Sequence, residues 1–259
     1  NLAWLDYQAT NSTDLFSAYE SLLYQNTMVP VHLDAATGLV NTSWQGARHI
    51  IGWDPYSTSA TFRNSDFQFP CNAFAFRGLA ILGTLAAKAG NLANATKYAH
   101  ESNSLRAAML RTMWNNDTKT YCDGVCNDAK IVGFTGPYTR YYSLYLDLVP
   151  STAVSGVWNS VAEYVQPNHS KYGDYGAFAV QYALSDAPLF GDANSVEAHG
   201  GGDDGSAVLT FLTKCDNNSW CTEFSAFNAT MTGEGFNNGQ GTRSHPWGTS
   251  AIPAVVESL

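Results

Sequence analysis

Apolar positions in this chain recur mostly at three- and four-residue spacing, the period of a helix face. In residues 12–26, STDLFSAYESLLYQN, a Ser/Thr cap precedes Asp14 in the first turn, and Leu15, Ala18 and Leu22 share one face. The clearest unit runs from Cys71 to Trp114. There CNAFAFRGLAILGTLAAKAG is rich in Ala and Leu and stops at Gly90, a residue free to adopt the left-handed backbone that ends helices. The return segment, NLANATKYAHESNSLRAAMLRTMW, places Leu105, Met109 and Met113 at a spacing of four. The pair predicts an αα-hairpin with a very short turn. Further helices are expected at 137–148, 152–165 with Ser151 as cap, 174–185, 203–214 and 246–259. Strand-like alternation is confined to MVPVHL at 28–33 and AKIVGF at 129–134. Loops rich in Gly, Asn, Asp and Ser lie between, without a sequence repeat or a low-complexity linker. The pattern reads as an all-α toroid or bundle rather than α/β.

Composition agrees with a packed core. The 259 residues are 45% hydrophobic and only 14% charged, which excludes a disordered chain. Aromatics reach 13%, enough to fill a core and also to line a sugar-binding cleft. A net charge of −9 argues against nucleic acid or an anionic membrane as partner. No unbroken apolar run approaches the roughly 18 residues of a membrane span, so a soluble protein is expected.

The sequons and cysteines speak to compartment. Seven N-x-[ST] sites occur, at Asn11, Asn41, Asn94, Asn116, Asn168, Asn217 and Asn228, more than chance supplies, so a secreted glycoprotein is expected. Cys122 with Cys126, and Cys215 with Cys221, are close enough to close small disulfide loops, which leaves Cys71 buried and free. No His stands at ligand spacing beside either pair, so zinc is disfavoured, and no cofactor is implied. The amino terminus, NLAWLDYQAT, lacks the basic and continuous apolar regions of a signal peptide and reads as a processed or internal start.

Candidate chemistry gathers near the other end, in TGEGFNNGQGTRSHPWGTS (232–250), where Glu234 lies in a Gly/Asn-rich loop ahead of Arg243, His245 and Trp247. Alone, Glu234 is as easily a solvated loop acid, and His245 and Pro246 are equally suited to open the following helix. Trp53 and Trp247 would serve a core as readily as a ligand, and Arg243 is either a partner that orients Glu234 or a plain surface cation. In HGGGDDGS (199–206) the glycine run lacks a phosphate-loop pattern, and the paired Asp residues suit a loop and helix cap.

A longer stretch, IGWDPYSTSATFRNSDFQFPCNAFAFRGLAILGTLAAKAGNLANATKYAHESNSLRAAMLRTMWNNDTKTYCDG, resembles the middle of the catalytic domain of α-L-rhamnosidases, glycoside hydrolase family 78. The shared features are the GW motif, an Asn-Ala opening a helix hairpin, and a Trp…Asp…Tyr-x-Asp-Gly tail. The closing SWCTEFSAFNATMTGEGFNNGQGTRSHPWGTSAIPAV is similar to the family's end, most specifically in RSHPWG with a Glu upstream. The resemblance implies an (α/α)6 six-hairpin toroid over residues 1–259 and an inverting glycosidase acting on a carbohydrate substrate. It also implies Glu234 as general base, taking a proton from the water that attacks the anomeric carbon. His245 and Trp247 would then contact the sugar, with Trp53 as a second stacking ring.

One part of the family pattern is missing. Its general acid lies in an Arg-Asp-Glu motif that is not found between Asn1 and Leu259. About eight helices are expected where a full toroid has twelve, so an incomplete barrel is expected, completed by a companion chain or by a missing N-terminal segment. Asp54, beside Trp53, is the best-placed substitute acid, ahead of Asp66, Asp174 and Asp203. The alternatives are a non-catalytic carbohydrate-binding glycoprotein on a degenerate barrel, or another glycosidase or lyase of the same fold.

Overall fold

The computed structural model describes residues 2–43, 66–126, 137–157 and 160. The chain divides into two compact units, Asn1–His49 with Ala60–Thr135, and Ile50–Ser59 with Gly136–Leu259. The described residues are largely helical.

In the first unit, α1 (Leu2–Thr10) and α2 (Asp14–Gln25) lead to a single helical turn, α3 (Val29–His32). The hairpin follows as α4 (Phe69–Lys88) and α5 (Leu92–Thr112), and then a short antiparallel ribbon, β1 (Trp114–Asn115) with β2 (Thr120–Tyr121). Helix α4 ends because Gly90 adopts φ 79°, a left-handed value that costs glycine nothing. Helix α5 begins at once, its first turn capped by Asn91 Oδ1, which accepts the Asn94 N–H at 3.2 Å. The seam between α4 and α5 is apolar. Leu79, Leu82, Leu85 and Ala86 of α4 and Leu105, Ala108 and Met109 of α5 are all buried, with Met113 just beyond. The expected spacing of Leu105, Met109 and Met113 therefore marks the core face. At Gly83 the helices approach closely, for a side chain there would meet the Ala95 carbonyl and Tyr98 Cβ.

Three findings qualify or correct these expectations. On α2 the face carrying Leu15, Ala18 and Leu22 is exposed, Leu22 at 54%, whereas Phe16 is buried at 1%. The helix turns the other way because Glu20 and Tyr24 on the Phe16 side find donors and acceptors on α5. MVPVHL is not a strand. Pro30 and the left-handed Met28 (φ 66°) set a helical turn, and only Leu33 bridges to Val40. The loop between them turns at Gly38, whose φ of 74° and 3.2 Å approach to Ala108 Cβ both require glycine. Third, α4 is long and apolar enough to cross a membrane by length and composition, though it lies in the core of its unit, where the same test is passed by ordinary core helices.

In the second unit, α6 (Pro137–Tyr145) matches the helix expected at 137–148. It is closed by Asp147 at φ 53°, with the Leu148 N–H returning to the Ser143 carbonyl at 2.8 Å. A 3-10 turn, Ser151–Ala153, runs into helical residues 154–157, where a helix from 152 was expected. Tyr142, Leu148 and Val157 are buried. The helices expected at 174–185, 203–214 and 246–259, and the AKIVGF segment, lie outside the described residues.

Candidate functional site

Two polar assemblies in the first unit hold the segments around the hairpin, and both are built by specific side chains. At the start of α4, Asn72 is fully buried. Its Oδ1 accepts the Val40 N–H at 2.7 Å, and its Nδ2 donates to the Val40 carbonyl at 3.2 Å and the Gln68 carbonyl at 2.9 Å. One carboxamide thus satisfies both backbone groups of Val40, as a neighbouring strand would. The Phe69 N–H, one of the orphan donors at the helix start, is met by the Asp123 carbonyl at 2.8 Å. Asp123 is placed by the Cys122–Cys126 disulfide, whose Cα atoms lie 5.3 Å apart. Beneath it the Tyr121 ring packs on Phe69 at 4.7 Å and edge-on to Trp114 at 5.0 Å. Burial pushes the Tyr121 phenol far above its usual range, so it stays neutral.

This joint explains part of the resemblance in physical terms. Asn72 is the Asn of the Asn-Ala opening, and Trp114, Tyr121 and Asp123 belong to the Trp…Tyr-x-Asp-Gly tail. In the folded unit they meet around the first turn of α4 and do structural work.

The second assembly joins α2 to α5. Glu20 Oε1 accepts from Asn94 Nδ2 at 2.7 Å and from the Tyr98 hydroxyl at 3.1 Å, and Oε2 accepts from Asn91 Nδ2 at 3.4 Å. One turn on, the Tyr24 hydroxyl donates to Glu101 Oε1 at 2.9 Å, and the Lys97 ammonium sits 4.1 Å from the Tyr24 ring centroid. Burial, then the bond and charge of Glu101, pushes the Tyr24 phenol up to about 12. The Tyr98 phenol is raised further by burial and by Glu20. Both rings therefore act as neutral donors that hold carboxylates, an arrangement that fixes helices.

Along the hairpin, an open groove of about 510 Å³ runs between α4 and α5, floored by Ala80, Gly83 and Ala99 and edged by Thr84, Thr96 and Asn103. Among the described residues no cluster of three or more His, Cys, Asp or Glu side chains is placed to hold a metal ion.

The sequence-derived site residues divide unevenly. Glu234, Asp54, Trp53, Arg243, His245 and Trp247 all lie outside the described residues, as do Cys215, Cys221, Asn168, Asn217 and Asn228. The expected Cys122–Cys126 disulfide is formed. Cys71 is a free thiol in the first turn of α4, as expected, but the residue is half-buried rather than buried; burial of the sulfur pushes its pKa up to about 12. Asn11 and Asn116 are exposed, while Asn41 and Asn94 are half-buried. Glu20 carried no signal in the sequence, since its partners lie 71–78 positions away.

No protein-family model matches the sequence, and no curated protein matches it. Solved structures do. An α-L-rhamnosidase from Dictyoglumus thermophilum superposes with a TM-score of 0.64 at 15% identity, over 98% of this chain and 26% of its own length. A GH78 family rhamnosidase of Bacillus sp. GL1 superposes with a TM-score of 0.65 at 16% identity, over 97% of this chain and 24% of its own. The chain thus spans about a quarter of each protein it resembles. At these identities the likeness is one of fold, between nearly the whole chain and part of each of these two proteins.

Proposed function

We propose that this chain is part of a secreted α-L-rhamnosidase-like glycoside hydrolase that releases terminal rhamnose from glycosides with inversion. The observation that carries the reading is the fold likeness to two rhamnosidases over nearly the whole chain. It is joined by RSHPWG, with Glu234 upstream, near the end of the sequence. In this reading Glu234 is the general base and needs an ionised carboxylate with room for a water between it and the anomeric carbon. His245 and Trp247 contact the sugar, Trp53 stacks on it, and Arg243 orients Glu234. The helices form a sector of an (α/α)6 toroid. A companion polypeptide, or a segment of the same protein beyond this sequence, supplies the rest of the ring and the general acid, with Asp54 as the acid within this chain if none is supplied. The quarter-length span and the missing Arg-Asp-Glu motif both support that division.

The test is release of rhamnose from an aryl α-L-rhamnoside by the protein as secreted, with intact-mass analysis of what travels with it. Glu234→Gln should lower turnover on the order of 10²–10⁴-fold, the usual contribution of a general base. Unchanged turnover in that variant would remove Glu234 from the mechanism. A preparation with no hydrolytic activity that still binds rhamnosides would replace the enzyme with a carbohydrate-binding protein.

A further inference from the structure

Four sequons fall among the described residues, and the structure holds two of them in opposite ways. At Asn41, Oδ1 accepts both the Ser43 N–H at 2.8 Å and the Ser43 hydroxyl at 2.7 Å. The sequon is closed on itself in an Asx turn, and the Asn41 Nδ2 has no acceptor among the described residues. Two hydrogen bonds donated to a carboxamide oxygen draw electron density from the amide and make its N–H protons more acidic.

Asn94 has none of this freedom. It is the third residue of α5, so its sequon is wound into helix. The Thr96 hydroxyl donates to the Leu92 carbonyl at 2.9 Å and does not turn to Asn94. The Asn94 Nδ2 donates to Glu20 Oε1 at 2.7 Å, in the carboxylate cluster that also takes Tyr98 and Asn91.

We infer that the chain accepts an N-linked glycan at Asn41 and withholds Asn94 from one, with Glu20 as the group that withholds it. The inference rests on the secretory reading proposed above. In the transfer, Nδ2 attacks the anomeric carbon of a saccharide carried on a lipid diphosphate. A C–N bond forms, the C–O bond to diphosphate breaks, one Nδ2 proton passes to a base, and the lipid diphosphate departs. At Asn94 that step needs the nitrogen turned away from Glu20, and it sets a sugar into the seam between α2 and α5. The order of events favours the clamp. Helices form in roughly 0.1–1 μs, whereas synthesis adds about 5–20 residues per second, so α5 closes as its residues emerge. Glu20 precedes Asn94 in the chain and is already present.

The test is secretion of the full chain from a eukaryotic host, followed by enzymatic glycan release in ¹⁸O-water and peptide mass analysis. Each asparagine that carried a glycan becomes an ¹⁸O-labelled aspartate. Label at Asn41 and its absence at Asn94 is the expected result, with the exposed Asn11 and Asn116 reporting on the compartment. Glu20→Ala should raise occupancy at Asn94 several-fold, while Glu20→Gln, which still offers an amide oxygen, should keep it low. Equal label at Asn94 and Asn41 in the parent overturns the inference, as does an unlabelled Asn41 beside labelled Asn11 and Asn116. Unchanged occupancy in Glu20→Ala overturns the role given to Glu20. No label at any of the four sites removes the secretory reading itself, and the inference with it.

Discussion

Helix α5 meets α4 along an apolar seam and α2 along a polar one. Towards α4 it is apolar, with Leu105 and Met109 buried and Gly83 of α4 set against Ala95, Tyr98 and Ala99. Against α2, contact comes from Glu20, Tyr24, Asn91, Asn94, Tyr98 and Glu101, joined by named hydrogen bonds. The first kind of seam tolerates any side chains of similar volume and fails when a cavity opens. The second depends on individual pairs and fails when one member is taken away and its partner is left buried.

A series of substitutions and one titration would break or sharpen this contrast. Met109→Ala should cost about 2–5 kcal/mol in denaturant unfolding, the range for a deleted buried Met, while Met109→Leu should cost under about 1.5 kcal/mol. Equal losses would mean the apolar seam is more specific than its packing implies. Asn72→Ala should cost about 3 kcal/mol, since both Val40 backbone groups lose their partner inside the core. A loss below the Met109 variants by a wide margin would mean that water replaces the carboxamide. Replacing Cys122 and Cys126 together with Ala should cost about 2 kcal/mol, the chain-entropy value for so short a loop, read as a fall in melting temperature. Glu20→Ala should cost about 1–2 kcal/mol, less than Met109→Ala or Asn72→Ala, because the site is partly open to water.

The smallest effect is a dependence on pH. An unfolded tyrosine ionises near 10, and Tyr24 in the fold is raised to about 12, chiefly by burial and then by Glu101. Its folded pKa is the higher one, so its contribution is complete below pH 10 and is lost as pH rises from 10 towards 12. Urea midpoints measured across that window should fall, and Tyr24→Phe should flatten the slope.

The same contrast explains what the sequence disclosed. The hairpin was legible because Leu105, Met109 and Met113 repeat at four and Gly90 ends α4, all local signals. The polar seam was not, because Glu20 and Asn94 are 74 positions apart and neither is unusual in its own neighbourhood. Leu15 and Leu22 share a face, but that face is exposed, and the polar partners on α5 lie on the side of the buried Phe16. MVPVHL alternated like a strand, but Pro30 and a left-handed Met28 decided its backbone. The Cys122–Cys126 pair was readable from spacing alone, and Asn72 only through the motif that contains it. For the proposed catalytic group, Glu234 with His245 and Trp247, the sequence remains the source of the assignment.

The thiol of Cys71 has a practical consequence. The thiolate is the reactive form, and one that appears only near pH 12 is nearly absent under ordinary handling. A slow alkylating reagent at neutral pH would therefore mark Cys71 faster in molecules whose first turn of α4 has come undone. The protein thus carries its own gauge of local opening, with no label engineered in.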